Sequence, residues 1–442
     1  MIDWRSAEDE ALRHLQALIR INTVNPPGNE LEAARYLASV LDREHLPPVV
    51  IEFEPGRGNV VARLQGTGSE DPLLLYGHTD VVPVERDHWT HDPFGGELVD
   101  GCIWGRGALD MKAMVVQSLM TIILLKRSGV QLRRDLIFAA TGDEEVDGSG
   151  IRFLVDRHPA LIQAGWGLTE MGGFTQHLHG KRIYPIKTAE KGALWLRLSF
   201  EGSPGHGSIP HEDNVVGKMA EAVRRLGRTN LGYRVTPHAR AYLRAIGRTL
   251  GGWQGLVLEH IPTRRLVHQV LKGLEDSELR DYLGAVLQDT VTPTILRAGE
   301  KTNVIPSTGL VSLDCRTLPG SSSSELLKRV QRALGTPVSV EIETDSPPLE
   351  MSPNTELFRV LESALVQGDP EAIVAPYMAS GATDAKFTLP LGIRTYGFSP
   401  IRLLPGQPYT GLIHANDERI PVEGFLWGLH VLHSAVERFC RV

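Results

Sequence analysis

Five short stretches of this chain carry imidazole and carboxylate groups in a pattern suited to holding metal and moving protons. They are Gly77-His78-Thr79-Asp80, Gly105-Arg106-Gly107-Ala108-Leu109-Asp110-Met111-Lys112, Thr141-Gly142-Asp143-Glu144-Glu145, Thr169-Glu170-Met171-Gly172-Gly173 and Ile413-His414-Ala415-Asn416. None contains cysteine. Histidine with Asp or Glu, and no thiolate, suits Zn²⁺, Co²⁺ or Mn²⁺ in a catalytic setting. Each stretch alone has a plainer reading. The chain holds 16 histidines, and a single one is more often surface or core than ligand. Asp110 could cap a following helix over 111–126, and Glu144-Glu145 could be a solvated turn. Taken together, they supply two histidines, two terminal carboxylates, one bridging carboxylate and one more left over as a base. That inventory is enough to hold a pair of metal ions in a hydrolase and leave a base free.

Positioning such groups needs a rigid frame, and the chain's apolar runs suggest one. Leu73–Tyr76, Leu136–Ala140 and Trp166–Leu168 each end in one of the polar clusters. Continuous apolar strands belong to sheets covered on both faces by helices, and sites in such sheets gather at the strand C-terminal ends. Ser6 is expected to cap a helix running to about Ile19, stopped by Asn25-Pro26-Pro27-Gly28. A second helix is expected near 30–45. The reading is an α/β catalytic domain with a mostly parallel sheet, made of residues 1–182 and 347–442. Between them the texture changes. Strand Ala193–Phe200, helix Asn214–Leu226, strands Thr292–Arg297 and Gly309–Arg316, helix Ser324–Leu334 and strand Val338–Glu343 give the order β-α-β-β-α-β. That is the ferredoxin-like pattern, so 183–346 is expected to be an inserted second domain, with a helical insertion at 230–290. The chain is expected to end in an amphipathic helix, Pro421 to Phe439.

Composition fits a large globular protein of 442 residues, with 42% hydrophobic and 22% charged. The charge sum is 46 − 53 = −7, which gives no global field for nucleic acid or anionic lipid. Neither is expected as a partner. The three cysteines, Cys102, Cys315 and Cys440, form no close pair, which argues against a disulfide framework or a thiolate zinc site. The N-terminal stretch MIDWRSAEDEALRHL has no apolar segment of a signal peptide, and no run reaches the roughly 18 apolar residues of a membrane span. The expected location is the cytoplasm.

The stretches YGHTDVVPV, WGRGALDMK, TGDEEVDG, GHGS and IHANDERI resemble the di-zinc exopeptidases and deacylases that include aminoacylase-1, carboxypeptidase G, acetylornithine deacetylase and succinyl-diaminopimelate desuccinylase. The likeness runs from about residue 10 to the C-terminus, apart from 230–290. It implies a catalytic α/β domain split in sequence by a ferredoxin-like lid that often serves as a dimer surface. By the same resemblance His78 and Glu170 would hold one metal, Glu145 and His414 the other, with Asp110 bridging. Asp80 would accept the second ring N–H of His78, and Glu144 would be the general base on a metal-bridging water. Both neighbouring glutamates can serve only if the backbone kinks after Gly142. From the lid, His206 would hydrogen-bond to a developing oxyanion, in dimeric relatives across to the other subunit. Asn303 and Arg316 would bind the substrate's carboxylate end, Arg through its bidentate fork. Its plainer reading is an ordinary ion pair with Asp314 or another acid. Gly381, in Ser380-Gly381-Ala382-Thr383-Asp384, would let backbone approach the ligand closely.

The function implied is metal-dependent hydrolysis of an amide bond in a small N-acyl amino acid or peptide with a free carboxylate. Two divalent ions would serve it, zinc first, with cobalt or manganese as alternatives. An aminopeptidase or dipeptidase is the second reading; it needs an anchor for a free amine, an acid near Glu350 or Asp384. A non-catalytic, metal-stabilised dimeric binding protein is the third, disfavoured by the complete ligand set and by Glu144. A serine hydrolase lacks its Gly-x-Ser-x-Gly elbow here, and Gly105-Arg106-Gly107 lacks the third glycine of a dinucleotide fingerprint.

Overall fold

A computed structural model describes residues 2–229, 231–260, 264–273, 277–335 and 337–442. The chain divides into two compact units. One comprises Met1–Thr188, Met351–Tyr377 and Thr383–Val442; the other comprises Ala189–Glu350 with Met378–Ala382. The strand Lys181–Glu190 runs through the first boundary.

The first unit is built on a mixed sheet. Its strands lie in the order Val49–Glu54, Arg57–Leu64, Leu136–Thr141, Leu73–His78, Trp166–Thr169, Arg394–Gly397 and Lys181–Glu190. The four from Leu136–Thr141 to Arg394–Gly397 run parallel, and those at the margins run antiparallel. The expected parallel sheet is therefore its centre. In Leu73–His78 every residue is buried, because alternate side chains enter different cores. Leu73 and Leu75 join a large cluster with Leu15, Leu37, Leu119, Ile123, Phe425 and Leu432. Leu74 and Tyr76 join a smaller one with Ile137, Ile151, Leu154 and Ile393. Helix Lys112–Ser128 buries residues around most of its circumference, as a helix apolar all round must.

Helix boundaries show where local chemistry was misread. The first helix spans Trp4–Arg20, and its N-cap is Asp3, whose carboxylate accepts the Ser6 N–H. Ser6 is thus a residue of the first turn that receives the cap. Asp110 caps nothing: Lys112–Ser128 begins after Met111 with no side-chain cap bond. The second helix spans Glu30–Arg43 and the last Val422–Cys440.

The second unit carries a four-stranded antiparallel sheet in the order Thr290–Ala298, Thr308–Thr317, Gly192–Glu201, Ser339–Ser346. Helices Val215–Gly227 and Ser323–Leu334 pack on it; Leu194, Leu196, Leu198, Val311 and Leu313 meet Val215, Met219, Leu326 and Val330. With the strands numbered in chain order the sheet reads 4-1-3-2, the ferredoxin-like arrangement. Pro237–Leu250, Gly252–His260, Arg264–Gly273 and Ser277–Val286 are helical. Positions 230, 261–263 and 274–276 of the expected insertion lie outside the described residues. Among the described residues no helix is long and apolar enough to cross a membrane.

Candidate metal centre

The five expected ligands converge in the first unit. His78 is the last residue of its strand. Glu170 follows Trp166–Thr169, and Glu145 follows Leu136–Thr141 by way of a turn. Asp110 precedes helix Lys112–Ser128, and His414 follows the short helix Tyr409–Leu412. One potential ligand atom from each of His78, Asp110 and Glu170 falls within 4.8 Å of the others, and the same is true of Asp110, Glu145 and His414. Asp110 belongs to both sets. Its Oδ1 lies 3.2 Å from His78 Nε2, and its Oδ2 lies 3.1 Å from His414 Nε2. His414 Nε2 is also 3.2 Å from Glu145, and His78 Nε2 is 3.9 Å from Glu170.

The electrostatics describe a pocket short of positive charge. Burial, then the Asp110 charge, pushes the Glu170 carboxyl up to about 8. Burial, then Glu170, pushes Glu144 well above the carboxylate range. Glu145 is raised by burial, against the pull of His414. Asp110 moves the other way: burial opposes its ionisation, but hydrogen bonds from His414 and His78 prevail and hold it low. Bonds to Asp110 and Glu145 lift His414 to about 10. Burial would depress His78, yet Asp110 and Asp80 raise it well above its ordinary value. The two imidazoles thus stand as the partners of a carboxylate cluster. Divalent ions held there would balance the carboxylate charge.

The backbone at these positions is unusual. Asp143, Met171 and His414 all have left-handed φ, at 71°, 68° and 61°. Such angles are costly for residues other than glycine and persist where surrounding bonds enforce them. The kink that separates Glu144 from Glu145 was expected from the freedom of Gly142, but Asp143 carries the positive φ. Gly142 is required for space instead: a Cβ there would meet the Glu30 side chain at 2.8–3.0 Å.

Asp80 does not play its expected part. The acceptor for His78 Nδ1 is the Asp80 backbone carbonyl at 3.0 Å, with the carboxylate 3.6 Å away. The carboxylate is already engaged. It accepts the backbone N–H groups of Glu144 and Glu145, both at 3.1 Å, and the Asn25 side chain at 2.9 Å. Asp80 therefore orients the glutamates through its side chain and the histidine through its main chain.

Sequence reasoning passed over the pair Arg106–Glu418. Both are buried and 2.8 Å apart. Glu418 Oε1 accepts the N–H groups of Leu109 and Asp110 at 2.7 and 3.1 Å. Arg106 donates to the carbonyls of Ala415 and His414 at 2.9 and 3.3 Å. One ion pair thus joins the Asp110 turn to the His414 loop. The signal was present, since each is an unassigned charge inside one of the quoted motifs. Phe174 and Tyr409 make a second tie: their rings stack 4.1 Å apart, linking the chain after Glu170 to the chain before His414.

The other expected residues lie in the second unit. His206 is exposed on a two-residue ladder with Val304–Ile305, its Nδ1 2.7 Å from Ser208 Oγ. Asn303 is exposed, and its carbonyl accepts the Gly207 N–H at 2.8 Å. Arg316, half-buried near the end of strand Thr308–Thr317, donates bidentately to Asp314 at 2.6 and 3.0 Å. A Cβ at Gly381 would meet nothing within 4 Å, so no protein contact demands glycine there. Of the two acids weighed as amine anchors, Glu350 lies 3.4 Å from His238 in the second unit. Asp384 is buried in the first unit, and burial pushes its carboxyl up to about 7.

Known proteins resemble this chain over most of its length. Aminoacylase-1 from Sus scrofa is 28% identical over 444 residues, covering 97% of this chain and 94% of that protein. The N-fatty-acyl-amino acid synthase/hydrolase PM20D1 from Xenopus tropicalis is 28% identical over 448 residues, covering 94% and 84%. Among solved structures, the M20 family metallo-carboxypeptidase Sso-CP2 from Sulfolobus solfataricus superposes with a TM-score of 0.74 at 18% identity, covering 97% of this chain and 98% of that one. Residues 74–438 match peptidase family M20/M25/M40, and the chain belongs to that family of metal-dependent amide hydrolases.

Proposed function

We propose that this protein hydrolyses the amide bond of a small N-acyl amino acid or peptide bearing a free carboxylate. Two divalent ions would be held by His78, Asp110 and Glu170 and by Asp110, Glu145 and His414. The observation that carries the reading is the division of Asp110, one oxygen facing each histidine. The donor set fits such ions. Glu145 Oε1 is buried without a hydrogen-bond partner, an orphan that a cation would satisfy. Imidazole with carboxylate favours zinc and also accepts cobalt or manganese. When bound, the ions supply Lewis acidity toward the scissile carbonyl and lower the pKa of water.

The chain's own residues would do the rest. Glu144 takes the proton of the attacking water and returns it to the leaving amine. His206 donates to the oxyanion, reaching a neighbouring subunit of a homodimer formed through the 189–350 unit. Arg316 and Asn303 take the substrate carboxylate, and Gly381 gives it room. The bidentate hold of Asp314 makes Arg316 binding an exchange of one carboxylate for another. That same pairing is the observation that favours an aminopeptidase or dipeptidase as the second reading, because an Arg316 already neutralised by Asp314 does not require a substrate carboxylate. Three free, buried thiols support a cytoplasmic location.

The test is a hydrolysis screen of metal-stripped protein given Zn²⁺, Co²⁺ or Mn²⁺. N-acyl amino acids, their carboxyl amides, free-amine dipeptides and free-amine dipeptide amides are the substrates. The proposal expects cleavage of N-acyl amino acids, slower for the amides. No hydrolysis with any ion, or faster cleavage of free-amine substrates lacking a carboxylate, overturns it.

A further inference from the structure

The groups that hold the Glu144–Glu145 turn extend well beyond Asp80. The Asn25 amide nitrogen donates to Asp80 Oδ2 at 2.9 Å and to Asp143 Oδ1 at 2.8 Å. Asp143 Oδ1 also lies 2.8 Å from Arg57 Nη2, while its Oδ2 accepts the Ser149 N–H at 3.1 Å. Arg57 grips Glu30 through Nε and Nη2 at 3.1 and 2.5 Å. Glu30 Oε1 accepts the Asp143 N–H at 3.2 Å, closing the circuit. Asn25, Glu30, Asp80 and Asp143 are all buried.

We propose that Arg57, Glu30, Asp143 and Asn25 are positioning residues for the hydrolytic reaction, a relay that sets where Glu144 and Glu145 point. The inference rests on the roles proposed above for those two glutamates. Three physical features carry it. First, Asp80 and Asp143 place two carboxylates on one nitrogen, an arrangement that is repulsive unless a neutral double donor stands between them. Asn25 has two N–H groups and uses one on each. Second, Asp143 is held at a φ of 71°, and four groups grip it: the Asn25 amide, Arg57, the Ser149 N–H and, at its own N–H, Glu30. Third, the Asp80 carboxylate takes the N–H groups of two successive residues. That fixes the peptide planes on which the two side chains are mounted, so each is sent to a different place. Arg57 is the cation of the circuit, and without it Glu30 and Asp143 would be buried anions with amide donors alone.

The experiment uses the full-length protein with Arg57→Met, Asn25→Asp and Arg57→Lys. Zn²⁺ affinity is read by chelator competition, kcat and KM on an N-acyl amino acid, and folding by thermal melting. Outer-shell changes of this kind cost about 10–100-fold in metal affinity or activity. That loss is expected in Arg57→Met and Asn25→Asp, in the retention of one ion and in kcat, with KM little changed. Arg57→Lys should recover part of it. If Arg57→Met does not fold, Glu30→Gln, which keeps the shape and removes the charge, serves in its place. Variants that melt earlier yet keep parent metal affinity and kcat overturn the relay and leave a merely structural network. Glu145→Ala, run alongside, separates the two claims. If it sheds one ion while the relay variants keep both ions and parent kcat, the relay fails and the ligand assignment stands. If Glu145→Ala keeps both ions at parent affinity, the ligand assignment fails, and the relay is decided by the kcat of Arg57→Met and Asn25→Asp.

Discussion

Asp110 and Arg316 are both charged residues assigned to the same reaction, yet their surroundings differ in kind. Asp110 is 6% exposed, and its main chain is anchored by Glu418, 308 residues further along the chain. Its neighbours His78 and Glu170 are as deeply buried. Arg316 is held by Asp314, two residues before it on the same strand. His206 likewise finds its partner two residues away, in Ser208, on an exposed loop. The first unit fixes its groups with contacts from distant parts of the sequence; in the second, the side chains of Arg316 and His206 are held by local bonds that a ligand can replace. The difference suits the tasks proposed. Metal ligands must be pre-placed, because their mutual repulsion would otherwise spread them. A substrate clamp must let go of one partner to take another.

The largest effect should come from Asp110, which serves both sets. Asp110→Ala is expected to lose both ions and essentially all turnover. Elemental analysis that finds two tightly held ions in the variant would remove Asp110 from the bridging role. Glu144→Gln should keep both ions and cut turnover by roughly 10²–10⁴; normal turnover would place the base elsewhere. On the other side of the comparison, His206→Ala should lower kcat by about 10²–10³ without disturbing metal content. Mixing His206→Ala with Glu144→Ala tests its reach, since a mixed dimer would regain one intact site. No recovery in a proven heterodimer would confine His206 to its own chain or deny it a role. The smallest effect belongs to Arg316. A charge-assisted bond worth about 1.5–3 kcal/mol corresponds to roughly a 10- to 150-fold preference for a free carboxylate over its amide. Arg316→Ala should abolish that preference. Parent protein that cleaves acid and amide equally well would reject the clamp.

Much of the frame was legible because burial leaves a clear mark on sequence. Leu73–His78 and Leu136–Thr141 are apolar runs ending in polar clusters, and that pattern alone gives both the strand and the end where a site must form. The ferredoxin-like unit was legible for a related reason. Its strands alternate, as Gly192–Glu201 does along most of its length, so the inward face declares itself. What stayed hidden was polar and long-range. Arg57 and Glu30 look like surface charges, and nothing local shows that they meet Asp143 from across the fold. Asn25 reads as part of a helix stop, but the helix already ends at Arg20 with Ile21 as its C-cap, and the Asn25 amide instead has partners 55 and 118 residues away. Asp80 was placed beside His78 correctly, but which of its oxygens faces the ring depends on the path of the backbone, and spacing does not encode that. The cap at Asp3 was missed by preferring Ser6, three residues further on, although both are good capping residues.

The two ligand sets also differ in access to solvent. The His78 side chain is 1% exposed and that of His414 is 50% exposed. Ions seated as proposed would therefore have unequal residence times. One beside His414 can be approached by a chelator directly, whereas one enclosed by His78 and Glu170 must wait for the protein to open. Brief chelation should empty a single position, and refilling with a different divalent ion should yield a heterobimetallic protein. Its spectroscopic signature would then report on one half of the centre at a time.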